Sequence, residues 1–324
     1  MKTCVVYHSI DLDGWMSAAI VKHWWMSNIG DKPYTFTAWE DLSNTEHDAE
    51  VLNMIGYNYG QPIPDLSEYD KVIMCDISFT KDQMIQLVNQ FSNLENFIWI
   101  DHHISAIKEL NSFTANNTIY HLKHLEGLRD TTFAACELTW KYFFPNETMP
   151  EIVRLLGMYD SFRHKGTDEE QKVLEFQYGA RQCIKDYFDA YEHLLGCNIE
   201  TILQRGYSIY QYLCSEAKQI YKNGFEIILI EQCGFRIEEQ IPRKFICINK
   251  ERFNPINFGI DYHKDGYDGA ACFHYANGKW NFSLYNGNGL VDCSVIAKQF
   301  GGGGHFSASG FVCDNKTFLK LINQ

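Results

Sequence analysis

Phe97–Ser105, FIWIDHHIS, is the stretch on which the reading of the fold turns. Four apolar residues make a short buried strand, yet the chain leaves it through Asp101, His102 and His103 rather than through a turn of Gly, Asn or Ser. Helical sequence follows. The same succession occurs twice more: TCVVYH (3–8) runs into the helical GWMSAAIVKHWWMSNIG (14–30), and YDKVIMCDIS (69–78) runs into TKDQMIQLVNQF (80–91), with Thr80 as the expected N-cap. PYTFTAW (33–39) is a further strand candidate. Strands alternating with helices predict a doubly wound, mostly parallel α/β sheet.

From Thr131 to about Lys222 the pattern is almost wholly helical, and after Gly224 it turns β-rich, with FEIILIE, KFICIN and GAACFHYANGKWNFSLYN. Asn277-Gly278 between two apolar segments is a hairpin signal. A last helix, CSVIAKQF, runs into four glycines. The expected organisation is an N-terminal α/β domain over 1–197, a long linking helix over 198–223, and a smaller C-terminal α+β domain over 224–324.

Composition narrows the function classes. With 45% hydrophobic and 21% charged residues among 324, the chain reads as globular, and no apolar run reaches membrane-spanning length. Eleven scattered cysteines without a CxxC suit a reducing cytoplasm better than a disulfide or zinc framework. A net charge of −13 opposes a broad grip on long duplex nucleic acid and leaves room for small phosphate-bearing substrates, above all if cations offset local acids.

Each apolar strand ends in carboxylate or imidazole: His8, Asp11 and Asp13 after the first, Asp76 after VIMC, and Asp101, His102 and His103 after FIWI. Singly, Asp11 or Asp13 reads as a helix cap, Asp76 as a turn residue and His102 as a histidine satisfied by backbone. Together they lie where parallel sheets bind ligands, outside the carboxyl ends of the strands. Carboxylates crowded without basic partners repel, and divalent cations remove that conflict. A mixed Asp/His set suits manganese, magnesium or iron. Two such ions lower the pKa of water from about 15.7 toward ~7, giving a hydroxide for in-line attack on phosphorus.

HSIDLDG, CDIS, DHHIS, GMYDSF and FGGGGHFSASGF stand in the order of the DHH superfamily of phosphoesterases, and the chain resembles the branch whose second domain carries a GGGH loop. That branch contains oligoribonucleases, RecJ-like exonucleases and cyclic-dinucleotide phosphodiesterases. The resemblance implies one manganese or magnesium ion on His8, Asp11 and Asp76, and a second on Asp13, Asp76, His102 and Asp160. Asp160 by itself reads as an exposed acid near a helix end. The resemblance further implies that Asp101 orients a ligand histidine, that His103 meets the phosphoryl group or protonates the leaving group, and that Gly302, Gly303, Gly304 and His305 hold a substrate nucleotide. Two residues, Ser9 and Ile10, separate His8 from Asp11 where many relatives have three, and Tyr285 of SLYN stands where relatives often carry a phosphate-gripping arginine.

The expected activity is hydrolysis of short oligonucleotides to mononucleotides by a two-metal phosphodiesterase. Cyclic dinucleotides or a 3′-phosphonucleotide are the enzymatic alternative, and a nucleotide- or RNA-binding module the non-enzymatic one. No long duplex or membrane partner is expected, and the oligomeric state stays open, a homodimer included. In HLKHLEGLRD, His121 and His124 read as surface residues and Arg129 as a lesser phosphate candidate. The aromatics of VKHWWMSNIG and RGYSIYQYLC read as helix packing.

Overall fold

The computed structural model describes residues 1–29, 34–37, 50–91, 93–111, 125–232, 240–287 and 289–323. They form two compact units, Met1–Tyr207 and Ser208–Gln324. In the first, β1 (Lys2–His8), β2 (Tyr34–Thr37), β3 (Glu50–Tyr57), β4 (Lys71–Cys75) and β5 (Phe97–Ile100) make one parallel sheet in the order β2-β3-β1-β4-β5. From β1 the chain passes to the edge strand β2, returns to place β3 between the two, and then adds β4 and β5 on the other side. The order therefore reverses between β1 and β4, the place where such sheets open a crevice for ligands.

The sheet is buried on both faces, and the strands alternate accordingly. Cys4, Val6, Val72, Met74, Phe97 and Trp99 pack against α2 (Lys81–Val88) and α3 (Ile104–Asn111) on one side. Val5, Tyr7, Ile73, Cys75, Ile98 and Ile100 pack on the other against α1 (Leu12–Asn28) and α4 (Ala135–Phe143). That double burial explains the near-continuous apolar strands in the sequence. Trp99, wholly buried, donates its indole N–H to the Ile77 carbonyl at 3.2 Å, so the DHH segment leaves from an anchored strand. Thr80 caps α2 in a capping box with Gln83. A helical layer follows: α5 (Glu151–Asp160), α6 (Glu170–Cys183), α7 (Tyr187–Gly196) and the first turns of α8 (Ile199–Lys222).

β3 is absent from the sequence reading, yet it is the strand beside β1, from Lys2↔Val51 to His8↔Tyr57. Its interior Asn53 and Gly56 break an otherwise apolar run, and Asn53 is buried with its amide donating to the Tyr69 hydroxyl.

The second unit is a six-stranded mixed sheet in the order β10-β11-β9-β8-β7-β6, from β6 (Phe225–Gln232), β7 (Gln240–Asn249), β8 (Gly269–Ala276), β9 (Lys279–Tyr285), β10 (Gly303–Gly304) and β11 (Ala308–Cys313). Asn277 and Gly278 carry φ of 53° and 76°, the paired left-handed residues of the predicted hairpin turn. Helices α9 (Cys293–Lys298) and α10 (Asn315–Ile322) cover one face. Among the described residues no helix is long and apolar enough to cross a membrane, and ten cysteines are free thiols.

Candidate metal centre

β1 delivers His8 at its carboxyl end, and the next residues turn straight into α1. Asp11 is the N-cap: its Oδ1 accepts from the Gly14 N–H at 3.0 Å, while Oδ2 stands 2.9 Å from His8 Nδ1. The capping role and the approach to His8 are thus met by different oxygens of one carboxylate. Gly14 makes the turn feasible, since a Cβ there would lie 2.0 Å from the His8 carbonyl oxygen. Asp13, buried in the first turn, accepts from the Cys136 N–H at 2.8 Å and from the Ala135 N–H at 2.9 Å. It caps the N-terminus of α4, more than a hundred residues away in sequence, with both oxygens.

Asp76 follows β4 and is the hub. It is 1% exposed and takes a left-handed backbone, φ 61°, which aspartate tolerates better than most residues. Its N–H donates to the Ile100 carbonyl at 3.0 Å, tying the strand end to β5. Oδ2 lies 3.4 Å from His8 Nδ1, and Oδ1 lies 3.3 Å from His102 Nε2 and 3.8 Å from His103 Nδ1. His102 Nε2 is also 3.4 Å from Asp160 Oδ2 and 3.6 Å from Asp13 Oδ2. Asp160, the last residue of α5, keeps a third of its side chain exposed but turns its carboxylate toward these groups.

Asp101 does something different from what the family resemblance implies. Its buried Oδ1 accepts from His103 Nδ1 at 2.8 Å and from the backbone N–H groups of His102 and His103 at 2.7 and 3.1 Å. It thus orients the His103 ring; His102 it touches only through the main chain. On three consecutive residues, acid and rings cannot all face one point, and the N–H groups leaving β5 claim the carboxylate first.

Three interlocking donor groups result: His8, Asp11 and Asp76; Asp13, His102 and Asp160; and Asp76, His102 and His103, each with its ligand atoms within 4.8 Å of one another. All six sequence-derived ligands therefore converge, and His103 joins them. Electrostatics follow the geometry. Burial disfavours the charged imidazoles, but hydrogen bonds to Asp11 and Asp76 push His8 up to about 10. His102, also against burial, is pushed up to about 11 by Asp76, Asp13 and Asp160. Although burial works the other way, the two imidazoles hold the Asp76 carboxyl below the usual carboxylate range. Asp13 goes well above it, by burial and then by the charges of Asp76 and Asp160; Asp160 is pushed up to about 6 by burial and its acidic neighbours, against the pull of His102.

These residues fit divalent cations. The groups are carboxylates and imidazoles without a thiol. Asp76 Oδ1 is buried with no hydrogen-bond donor although two imidazole nitrogens stand within 4 Å, which leaves a lone pair facing the space between the ligands.

Other expected residues fall elsewhere. Arg129 serves the main chain: its guanidinium donates to the carbonyls of Trp99 (2.8 Å), Leu125 (2.8 Å) and Glu126 (3.2 Å). It pins a segment that bridges to β5 through Ile98↔Glu126 and Asp101↔Arg129. His121 and His124 lie outside the described residues. In the second unit, Gly303 and Gly304 form β10 and pair with Gly310 and Ser309 of β11. A Cβ on Gly302 would lie 2.1 Å from the Gly310 carbonyl oxygen, so this glycine serves close backbone packing. The N–H groups of Gly302 and His305 donate within the unit, to Ala297 and Ala308. That differs from an open cradle of N–H donors, in which those two would be unspent. Gly303 faces open space, and Tyr285 is half-buried at the end of β9, paired with Ala308. Sequence reasoning missed Tyr59, whose ring stands beside His8 and His103, because the signal GYNYG reads as a turn. It also missed Glu137, which lies buried under α5 and is bound by Arg163.

No family model matches the chain. An uncharacterized protein, R106, of Acanthamoeba polyphaga mimivirus is 25% identical over 316 residues, covering 94% of this chain; the chain spans 66% of that protein's length. Among solved structures, an exopolyphosphatase-related protein from Bacteroides fragilis superposes with a TM-score of 0.51 at 12% identity, over 100% of this chain and 91% of its own. A pGpG-specific phosphodiesterase, PggH, from Vibrio cholerae gives 0.49 at 11% identity, over 99% and 96%. An uncharacterized protein from Helicobacter pylori G27 gives 0.36 at 13% identity, over 100% and 99%. At such identities the Bacteroides fragilis likeness is one of fold.

Proposed function

We propose that the chain is a metal-dependent phosphodiesterase that hydrolyses short oligonucleotides to mononucleotides. One observation carries the reading: His8, Asp11, Asp13, Asp76, His102 and Asp160, spread over the first half of the sequence, meet as donor groups linked by Asp76 and His102 at the point where the strand order reverses. Manganese or magnesium held there would polarise a phosphoryl oxygen and lower the pKa of a bound water. The chain's own residues supply the rest. Asp101 fixes the His103 ring through Nδ1; burial lowers the imidazole pKa, but that hydrogen bond together with the charges of Asp101 and Asp76 raises it on balance. His103 so retains a proton on Nε2 for a phosphoryl oxygen or a leaving alkoxide. In the second unit, Gly302, Gly303, Gly304, His305 and Tyr285 are the residues proposed to hold the nucleotide, with the tyrosine stacking or hydrogen bonding in place of the family's arginine.

The net charge of −13 favours substrates a few nucleotides long over long strands. Tyr285 in the arginine's place removes a phosphate grip that relatives carry, and this departure makes a cyclic dinucleotide or a 3′-phosphonucleotide the second reading. The test is a manganese panel of dinucleotides, five-mers, long single strands, a cyclic dinucleotide, 3′-phosphoadenosine phosphate and polyphosphate. Fastest turnover of the short linear oligonucleotides, abolished in Asp76→Ala, is expected. Preference for long strands or polyphosphate, or undiminished turnover by Asp76→Ala, overturns the reading.

A further inference from the structure

The turn after β3 lifts Tyr59 beside the donor cluster. Its ring centre is 6.0 Å from that of His8 and 6.4 Å from that of His103, edge-on to the latter at 80°. Unlike its neighbours it is 51% exposed. Behind it opens a pocket of about 350 Å³, with Tyr57 and Phe79 as apolar walls, Gln83 and Glu109 as polar ones, and His103 on the side toward the cluster. Tyr57 and Phe79 are buried and meet edge to face at 5.1 Å, and the Tyr57 hydroxyl is spent on the Gln61 carbonyl, so these walls are rigid. The capping box orients Gln83 as well: its Oε1 accepts from the Thr80 N–H and hydroxyl, which leaves the amide NH₂ as a donor.

The chemistry of this pocket discriminates between substrates. Among the described residues that line it are the rings of Tyr57, Tyr59 and Phe79 and the Gln83 amide, but no lysine or arginine. Such a lining offers a chain of phosphates little, since burying their charge among aromatic walls is costly. A flat heterocycle with hydrogen-bonding edges fits: aromatic walls take its faces, and the Gln83 amide takes its rim. We propose that this pocket seats the nucleobase adjoining the scissile phosphate, with Tyr59 as the stacking wall that sets specificity for a nucleotide over a base-free phosphodiester. The proposal rests on the phosphodiesterase reading above and assigns its substrate an aromatic group at a defined place.

The test compares 5′-phosphorylated diadenylate with its abasic counterpart, in manganese, for the wild type, Tyr59→Ala and Tyr59→Phe. Stacking on an aromatic side chain predicts that the wild type prefers the dinucleotide by about tenfold or more in kcat/KM. Tyr59→Ala should remove most of that preference through KM, and Tyr59→Phe should keep it. Equal kcat/KM on the two compounds in the wild type, or the same loss on both in Tyr59→Ala, overturns the proposal while leaving the phosphodiesterase reading intact. Should neither compound be cleaved, the phosphodiesterase reading falls, and saturation-transfer NMR with AMP and ribose 5-phosphate decides the pocket separately. Transfer to the adenine ring protons in the wild type that disappears in Tyr59→Ala supports it, and no transfer to the ring in the wild type overturns it.

Discussion

Asp13 offers a sign test, because a cation ligand and a helix cap behave oppositely when no cation is present. If the carboxylate served a metal alone, Asp13→Ala in a chelator would relieve repulsion from Asp76 and Asp160 and stabilise the fold. The structure argues for the reverse. The substitution strips two buried N–H groups, Ala135 and Cys136, of their acceptors at 2.9 and 2.8 Å. Leaving a buried donor unsatisfied costs about 1–3 kcal/mol each. The relieved repulsion is small by comparison, because a carboxyl whose pKa is already raised by its neighbours takes up a proton and blunts it. A net loss of about 3 kcal/mol corresponds to a Tm lower by ~6–12 °C for a unit of this size. Tryptophan fluorescence in EDTA is the assay, since six of the seven tryptophans (all but Trp280) precede residue 208. Asp13→Asn, which keeps one acceptor, should fall between. A metal-free Asp13→Ala protein as stable as the wild type, or more so, would refute the capping argument.

The metal-free pH dependence has a defined sign. His8 and His102 have folded pKa values raised to about 10 and 11, so their contribution is complete below the free imidazole value and is lost as pH climbs toward those values. In EDTA the Tm should therefore drop between pH 7 and pH 10, and His102→Ala should flatten the slope; a wild-type Tm indifferent to pH over that window contradicts it. Divalent ions compete with the same protons, so manganese affinity, read by calorimetry, should rise with pH. Asp101→Ala should lower activity or metal affinity ~10–100-fold, as loss of a ligand-orienting carboxylate does, with Asp76→Ala lower still; equal effects would remove Asp76 from its bridging place. Gly14→Ala should cost at least ~1–3 kcal/mol, because its Cβ would collide with the His8 carbonyl and push α1 off β1. Arg129→Ala should lower the Tm without changing KM, since all three carbonyls it serves are structural; a raised KM with unchanged Tm would restore it as a substrate contact.

Sequence carried the site further than the sheet. The strand ends were legible because strands buried on both faces are apolar throughout, so an acid or imidazole at the exit stands out. β3 was not, because Asn53 and Gly56 read as breakers until a buried tyrosine hydroxyl is present to accept from the amide. Without β3, the strand that neighbours β1 on that side is missed. Asp160 reads from periodicity as an exposed acid, for spacing along a helix says nothing of what faces its last turn. The same limit hides the second role of Asp13, which caps a helix other than its own, and which of the two histidine rings Asp101 holds.

The donors stand far apart along the chain: Asp13, His102 and Asp160 come from three separate stretches. None of them is near the others until the parallel sheet and its helical layer have closed, and non-local parallel pairing is intrinsically slow. An ion that grips all three acts as a crosslink across loops of many tens of residues, restraining an unfolded chain that would otherwise wander widely. Loading the protein with its metal is therefore expected to slow global unfolding and proteolysis of the first unit, and a partly folded chain should hold the ion poorly.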